Sequence, residues 1–571
     1  MHYKKMISCT IFNMFLLTAT ISAEFYSSLA SLKVIFEAER NISVIINGYV
    51  EKELERLDYL KKFAQEVQEH NDKAIRDGEE AIRHPINAFL LIKGMITDWN
   101  KIVKIMRSNS ADDVIRNVTR HQDIKCINYP TEEDLIGAAT GLLRLQDTFQ
   151  MDTKDIADGK ISNSQMRTVA LTAEDCLEIG RAAYNAYDYY HTILWMREAL
   201  ERLEKERVPT ANLEDILEYL AFSQYKQGNL KRALLLTDEL YRINPDHPRA
   251  KDNVKEYEYL LKNNEVQRID LWRKTFPINN MRNDNEFDEG IKLIYEALCR
   301  REVPVNTKVQ SQLYCYYKTD RPYLRLAPFK VEIVRQNPLN VLFYGIISDE
   351  QARIIQMLAV PKLNGSRIYN DLTGSFELPS FRILKSARLR STEYETVKRI
   401  DKRLELATNL EIETAEDLAV LNYGIGGQFE PHFDCALKGD QCFEKLGTGN
   451  RIATFLIYLT EPEIGGRTVF TSNLKISVPC VKNAALFWYN LMRNGEVDTR
   501  SLHAACPVAT GIKWTANKWF HERGQEWRRP CGLNQFDQER YVGDLGTPEP
   551  KHLINIRSET KKFKKMKKKN Y

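Results

Sequence analysis

The chain has 571 residues, 43 % of them hydrophobic, which is enough for several domains with a packed core in each. A net charge of +4 over that length makes no case for binding nucleic acid. After the first two dozen residues no stretch reaches ~18 uninterrupted apolar residues, so no membrane span is expected.

Residues 1–23 carry Lys4 and Lys5, an apolar run around Phe12 to Thr18, and the small-residue site Ile21-Ser22-Ala23. Charge, apolar run and cleavage site in that order predict a secretory signal peptide, with a soluble lumenal protein after it. Nine cysteines remain once Cys9 is lost, and an oxidising compartment permits disulfides among them. Spacing alone does not fix their connectivity. Asn41, Asn117 and Asn364 each open an Asn-x-Ser/Thr sequon, a glycosylation signal in a secretory chain.

Residues 24–150 read as a helical N-terminal region. Val50, Leu54, Leu57, Leu60, Ala64 and Val67 recur at three- and four-residue steps with charges between them, an apolar seam of coiled-coil type. A helix packed within its own domain gives the same pattern; the charge density favours partner contact. Residues 165–262 read as tetratricopeptide-like helix pairs: Ala221, Ala233 and Pro245 are twelve apart, with Gly228 at a turn. Tyrosines crowd this stretch. Many would pack between helices, but rigid amphipathic rings on a helical groove also suit an extended proline-rich peptide.

A polar connection follows over 263–329. From 330 to 535 the pattern turns to short strands, with RIATFLIYLTEPEIGGRTVF reading as two strands about a Gly465-Gly466 turn. Such spacing predicts a β-barrel or double-sheet roll flanked by helices, so the whole is an α+β multidomain chain. Residues 536–571 end in a lysine run, expected to be a solvated basic tail.

The chemistry lies in YGIGGQFEPHFDCA. On a strand, residues two apart face the same side, so His432 and Asp434 can approach one ion together. His503, in SLHAACPV, supplies a third ligand. Two imidazoles and a carboxylate with open positions opposite suit non-haem Fe(II); zinc hydrolysis uses a similar set. Lys513, ten residues past His503, discriminates. Carried inward on a strand, it needs an anion. The distal carboxylate of 2-oxoglutarate supplies one, whereas a hydrolase leaves the lysine unexplained.

YGIGGQFEPHFD, LGTGNRIATFLIYL, LFWYNL, RSLHAACPV and NKWFHERGQEWRRPC closely resemble the catalytic α subunits of the collagen prolyl 4-hydroxylases. LTAEDCLEIGRAAYNAYDYYHTILWM resembles that family's peptide-binding domain, and HPINAFLLIK with EEDLIGAATGLLRLQDTF its N-terminal region. The resemblance covers nearly all of the chain between leader and tail. It implies a helical dimerisation region, a tetratricopeptide-like domain and a double-stranded β-helix (jelly-roll) dioxygenase domain. It implies Fe(II) on His432, Asp434 and His503, and 2-oxoglutarate held by Lys513 with Tyr423 and Thr454. O₂ would be the second co-substrate, and ascorbate would restore oxidised iron. The product would be 4-hydroxyproline in X-Pro-Gly sequences of collagen-like secreted proteins, with succinate and CO₂ released. Tyr184, Glu218, Tyr219, Asn253 and Tyr259 match the peptide groove. Phe222 and Glu256 stand where tyrosines are expected, and Arg388 where a tryptophan is. Phe429, another tyrosine replacement, and Trp519 would contact the proline ring. The resemblance further implies disulfides Cys299–Cys315 and Cys506–Cys531 with Cys176 free. It also implies an α₂β₂ tetramer with protein disulfide isomerase and residence in the endoplasmic reticulum lumen. The rivals are a lysyl or prolyl 3-hydroxylase, a zinc hydrolase, and a binding module or chaperone for proline-rich chains.

Overall fold

A computed structural model describes residues 27–77, 99–107, 131–161, 169–263, 278–282, 289–304, 307–365, 368–370, 375–377, 383–438, 443, 447–472, 474–534, 537, 539 and 541–543. The leader, the sequon at Asn117 and the lysine tail lie outside these residues. The rest fall into two compact units, one over 31–131 and one joining 27–30 to the chain from 132 onward.

In the first unit, α1 (Leu29–Asp77) runs for 49 residues and α2 (Trp99–Arg107) follows. The seam read from the sequence lies on α1. Val50, Leu54, Leu57 and Val67 are exposed along it.

The second unit opens with α3 (Glu132–Phe149) and α4 (Thr153–Ala157). Five helices follow as two and a half pairs: α5 (Ala173–Asn185), α6 (Tyr189–Leu203), α7 (Leu213–Lys226), α8 (Leu230–Ile243) and α9 (Ala250–Asn263). Local chemistry sets their ends. Thr172 and Asp175 form a reciprocal capping box at the start of α5. Gly228, at φ +82°, makes the turn between α7 and α8 that a side chain would strain. Ala182, Ala183 and Ala199 let the helices approach closely around Trp195 and Met196.

His191 on α6 is 1 % exposed and clamped by two carboxylates, Asp188 at 2.6 Å and Asp147 of α3 at 3.0 Å. Arg282 reaches Asp147 at 2.9 Å and Glu296 at 2.6 Å. This ionic cluster ties the helical repeats to α3 and to α10 (Glu289–Arg300).

The remaining chain builds two facing sheets. The strands of these two sheets are β1 (Cys315–Lys318), β2 (Phe329–Gln336), β3 (Leu339–Tyr344), β4 (Asn364–Gly365), β5 (Leu384–Leu389), β6 (Leu418–Tyr423), β7 (Phe429–His432), β8 (Arg451–Tyr458), β9 (Thr468–Phe470), β10 (Ile476–Val478), β11 (Ala485–Tyr489), β12 (His503–Ala505) and β13 (Trp514–His521); Ile464–Gly465 with Val508–Thr510, and Ile368–Asn370 with Ser375–Glu377, form two short separate ladders. The major sheet runs β1–β2–β3–β11–β8–β13–β6–β5–β4 and the minor sheet β10–β9–β12–β7. The flanking helices are α11 (Asp349–Ala359) and α12 (Glu395–Thr408). Side chains alternate: Phe455 and Phe487 face α11 and α12 with Ile355, Ile400 and Leu404, while Leu456, Tyr458 and Trp488 face the minor sheet with Phe470 and Val478. This is the expected jelly roll.

Three expectations change. β8 and β9 are not a hairpin. β8 pairs with β11 and β13, and β9 with β10 and β12, so the Gly465-Gly466 turn carries the chain from one sheet to the other. A Cβ on Gly466 would meet Pro462 Cγ at 2.7 Å, which explains the glycine there. The stretch expected as a connection contributes α10 and β1 to the barrel. And the structure pairs Cys299 with Cys506, leaving Cys315 and Cys531 as exposed thiols, so the expected Cys299–Cys315 and Cys506–Cys531 bonds are absent from it. The reason is topological. Cys299 ends α10, which packs with Tyr295 and Leu298 on Val469, Ala504 and Cys506 of the minor sheet. Cys315 starts the far edge of the major sheet, opposite Glu332.

Burial pulls the His191 imidazole down, but hydrogen bonds and charge from Asp147 and Asp188 raise it, net, to about 9. A raised pKa in the folded state means stability that is whole below the unfolded value of ~6.5 and is lost as pH rises through about 9. The contribution is on the order of a few kcal/mol. The urea midpoint is expected to fall between pH 6.5 and 9 in the parent, and to fall distinctly less in His191→Gln.

Candidate metal centre

The metal-binding strand is placed by a glycine turn. After β6, Gly424 to Gly427 reverse the chain into β7, and Gly426 adopts φ +55° against the backbone of Gly141 on α3. Arg144 of α3 donates to the Gly426 carbonyl at 2.9 Å. The turn is too close for a side chain on either glycine, which accounts for the glycine-rich approach in the sequence.

β7 then pairs with β12 so that His432 lies directly opposite His503. Asp434 follows two residues on, beyond the strand end. Its carboxylate is 3.6 Å from Nε2 of each histidine, and the three residues' ligand atoms lie within 4.8 Å of one another. This is the only such cluster of three found among the described residues. The other ring nitrogens point away: His432 Nδ1 lies 2.7 Å from the Glu430 carbonyl and His503 Nδ1 2.9 Å from that of Ser501. A carbonyl can only accept, so Nδ1 carries the proton and Nε2 offers its lone pair toward the carboxylate. Burial lowers the His503 pKa to about 4, keeping that imidazole neutral as a metal ligand requires. The Asp434 carboxyl is buried, yet the two histidines hold it far below the usual range and therefore ionised.

A layer of hydrogen bonds behind Asp434 was not legible in the sequence. Thr454 Oγ donates to Asp434 Oδ2 at 2.7 Å and accepts from Asn490 Nδ2 at 2.9 Å, all three being buried. Thr454, expected beside the co-substrate, here orients a carboxylate. The ring of Phe429 stacks on His432 at 3.5 Å between centroids, fixing that ligand from the other side.

Lys513 enters the space between the sheets from the start of β13. It is 1 % exposed, its Nζ has no hydrogen-bond partner, and the Tyr423 ring lies 4.3 Å beneath it. Burial lowers its pKa. A buried ammonium without an anion is costly, and a ring face offsets only ~1–2 kcal/mol of that. Farther along the same face of β13, Thr515 Oγ1, Asn517 Oδ1 and Trp519 Nε1 are also buried without partners. The donor set fits an Fe(II) ion, and the orphaned Lys513 cation buried in the same domain fits a dicarboxylic co-substrate better than hydrolytic chemistry. Trp519 stacks under the Arg451 guanidinium at 4.1 Å, with Arg388 at 5.6 Å and paired to Glu416.

The expected peptide residues lie on the helical repeats. Tyr184, Tyr219 and Phe222 form an edge-to-face cluster with centroids 4.8 and 5.7 Å apart, and Phe222 leads through Tyr225 to Tyr257. Glu218 is paired with Arg249 at 2.5 Å. Asn253 is half-buried and Glu256 exposed, while Tyr259 stands 66 % exposed outside the ring cluster. Asn364 is exposed at the sheet edge, and Asn41 lies within α1.

Three family models match this chain. The prolyl 4-hydroxylase α-subunit N-terminal region spans residues 28–163, the prolyl 4-hydroxylase peptide-substrate-binding domain 173–263, and the 2OG-Fe(II) oxygenase superfamily 418–521. The last range contains His432, Asp434, His503 and Lys513. The prolyl 4-hydroxylase subunit alpha-1 of Caenorhabditis elegans is 52 % identical over 95 % of this chain and 97 % of its own length. The human subunit alpha-1 is 39 % identical over 90 % of this chain and 96 % of its own. Among solved structures, a viral collagen prolyl hydroxylase from Paramecium bursaria Chlorella virus-1 is 24 % identical, with a TM-score of 0.25 over 32 % of this chain and 94 % of its own.

Removing the hydrogen bond behind a ligating carboxylate typically costs roughly 10–100-fold in metal affinity. Thr454→Val is therefore expected to weaken Fe(II) binding by roughly that factor while the far-ultraviolet circular dichroism stays parental. Metal titration of the two proteins checks it.

Proposed function

We propose that this chain, which belongs to the prolyl 4-hydroxylase α-subunit family, is the catalytic subunit of a procollagen-proline 4-dioxygenase. The observation that carries this reading is the conjunction of one open His432–Asp434–His503 face with a buried, partnerless Lys513 ammonium.

Its residues divide the work. His432 and His503 present Nε2 lone pairs and Asp434 one oxygen to Fe(II), and carbonyls of Glu430 and Ser501 fix the imidazoles in the ligating tautomer. Bound there with 2-oxoglutarate, the iron supplies the O₂ chemistry that oxidises the co-substrate to succinate and CO₂ and hydroxylates C4 of proline. Lys513 neutralises the distal carboxylate of 2-oxoglutarate, and Tyr423 walls its stem. The inner face of β13, ending at Trp519, lines the approach to the reacting atoms and excludes water there. Ascorbate serves to return oxidised iron to Fe(II).

The peptide is gripped elsewhere, on the ring cluster of Tyr184, Tyr219 and Phe222. Such rings pack against a polyproline II chain at little entropic cost, which suits a collagen-like X-Pro-Gly repeat. Phe222 keeps a ring while lacking a hydroxyl, and Glu256 adds charge beside the groove, so the peptide preference is expected to differ in detail from that of relatives with tyrosines there. Glu218, Asn253 and Tyr259 extend the groove. Protein disulfide isomerase is the proposed β subunit, with the α1 seam contributing to an α₂β₂ assembly in the endoplasmic reticulum lumen. Among the described residues no helix is long and apolar enough to cross a membrane.

Complex of this chain with protein disulfide isomerase, given Fe(II), 2-oxoglutarate, ascorbate and a (Pro-Pro-Gly) repeat peptide, is expected to add roughly 16 Da per modified proline and to release succinate in step. Lys513→Ala is expected to lose both products at ordinary 2-oxoglutarate concentrations, because it removes the charge-assisted pair. A parent that releases no succinate with any proline-rich peptide would overturn the assignment. Phe222→Ala is expected to raise the peptide KM by about tenfold, as loss of an aromatic anchor does. Its turnover at saturating peptide should stay near that of the parent, a split that steady-state kinetics resolves.

A further inference from the structure

The first described residues of the chain do not belong with the helix they precede. Ser27 and Ser28 are 1 % and 0 % exposed, buried in the catalytic half of the molecule. Ser28 Oγ donates to Asn422 Oδ1 at 2.8 Å across 394 residues of sequence, and the Ala30 N–H donates to the same oxygen at 3.2 Å. Ala30 packs on the core between the major sheet and its helices.

Asn422 is itself fully buried, on β6 opposite Trp514 of β13. Its amide Nδ2 faces the Lys513 carbonyl at 3.4 Å, and the N–H of the next residue, Tyr423, donates to that carbonyl at 3.2 Å. Successive residues on β6 thus serve opposite sides of the sheet. Asn422 faces outward to the N-terminal segment, and Tyr423 faces inward under the Lys513 ammonium. The segment 27–30 is a strap that supplies two donors to Asn422, and Asn422 with Tyr423 fixes the backbone from which Lys513 projects.

We infer that Ser28 is a positioning residue for the co-substrate: by holding Asn422 it sets the height and direction at which Lys513 meets the distal carboxylate of 2-oxoglutarate. The inference rests on the dioxygenase reading above. It also gives the start of the chain a role in catalysis, since the strap begins four residues after Ala23, where the sequence predicts leader cleavage. An N-terminal segment held away from Asn422 would leave one donor fewer, or none, on a buried oxygen.

The test is equilibrium binding of 2-oxoglutarate to the full-length complex with protein disulfide isomerase, loaded with Fe(II) and kept free of O₂ so that nothing turns over. Ser28→Ala is expected to weaken 2-oxoglutarate binding three- to tenfold while binding of the (Pro-Pro-Gly) peptide stays parental. Ser311→Ala, an exposed serine whose hydroxyl bonds the Lys308 carbonyl in the turn before it, is expected to change neither. Parental 2-oxoglutarate binding by Ser28→Ala overturns the strap, as does an equal loss of peptide and 2-oxoglutarate binding, which marks a general structural defect. Should Ser28→Ala not accumulate folded, Ser28→Cys, close in size and a weaker donor, carries the test with a two- to fivefold loss expected and parental binding overturning it. A parent that binds no 2-oxoglutarate removes the dioxygenase reading itself; a parent that binds it, with Ser28→Ala binding equally, removes the strap alone.

Discussion

The site is organised around one buried carboxylate. Asp434 cannot stay ionised between two sheets unless something cationic or strongly donating faces it. The Thr454 hydroxyl donates on one side; on the other, His432 and His503 stand at 3.6 Å with their Nε2 lone pairs turned in, so the positive charge needed there is that of the metal the three residues would hold. To bring those groups together the chain must pair β7 with β12 in one register. A slip by one residue would turn one histidine out of the site. The register is in turn set by the turn at Gly424–Gly427, which has room to form only because Gly141 of α3 lies flush against it. The carboxylate therefore constrains a chain of contacts that reaches out of the barrel.

Lys513 repeats the logic with the opposite charge, but its compensation is left incomplete. Asp401 satisfies Lys518 on the outer face of the same strand at 3.0 Å, a closed buried pair. Lys513, on the inner face, has only the Tyr423 ring. One strand thus carries two buried lysines, one paired within the protein and one lacking a protein anion. That contrast separates a structural cation from one kept for a ligand, and it argues against the zinc hydrolase and against a barrel serving only as scaffold.

The readable part of this molecule was what short-range periodicity encodes. The i, i+2 step from His432 to Asp434, the inward turn of Lys513, the helix pairs around Ala221 and Ala233 and the alternation of the barrel strands all follow from local geometry. What could not be read depends on which strand lies beside which. The Thr454–Asn490 support behind Asp434 joins β8 to the end of β11, two strands paired only in the folded sheet. The Gly465-Gly466 turn carried a hairpin signal, because a local turn gives the bend and not the partner. The Cys299–Cys315 pairing that the resemblance implied gives way because the two residues serve different sheets, and Cys506 meets Cys299 across 207 residues. The buried Ser28 is the extreme case, a contact no periodicity announces.

These long-range contacts share a direction. α3 presses on the turn before His432, α10 is bonded through Cys299 to the residue just past His503's strand, and the strap at Ser28 braces the strand beside Lys513. Each comes from the N-terminal side of the barrel, and each lands within a few residues of a different member of the site. The barrel by itself supplies the ligands, but their placement leans on segments that precede it, α10 directly and α3 and the strap by more than a hundred residues. A helical region that only gripped peptide would need one tether to the barrel; three separate anchors on three site-bearing segments make the helical half part of the active-site framework. Of the family's N-terminal region, residues 28–30 and α3 thus belong to the same compact unit as the oxygenase domain. Separating them would leave the iron face, the co-substrate cation and the metal-binding turn each without one support.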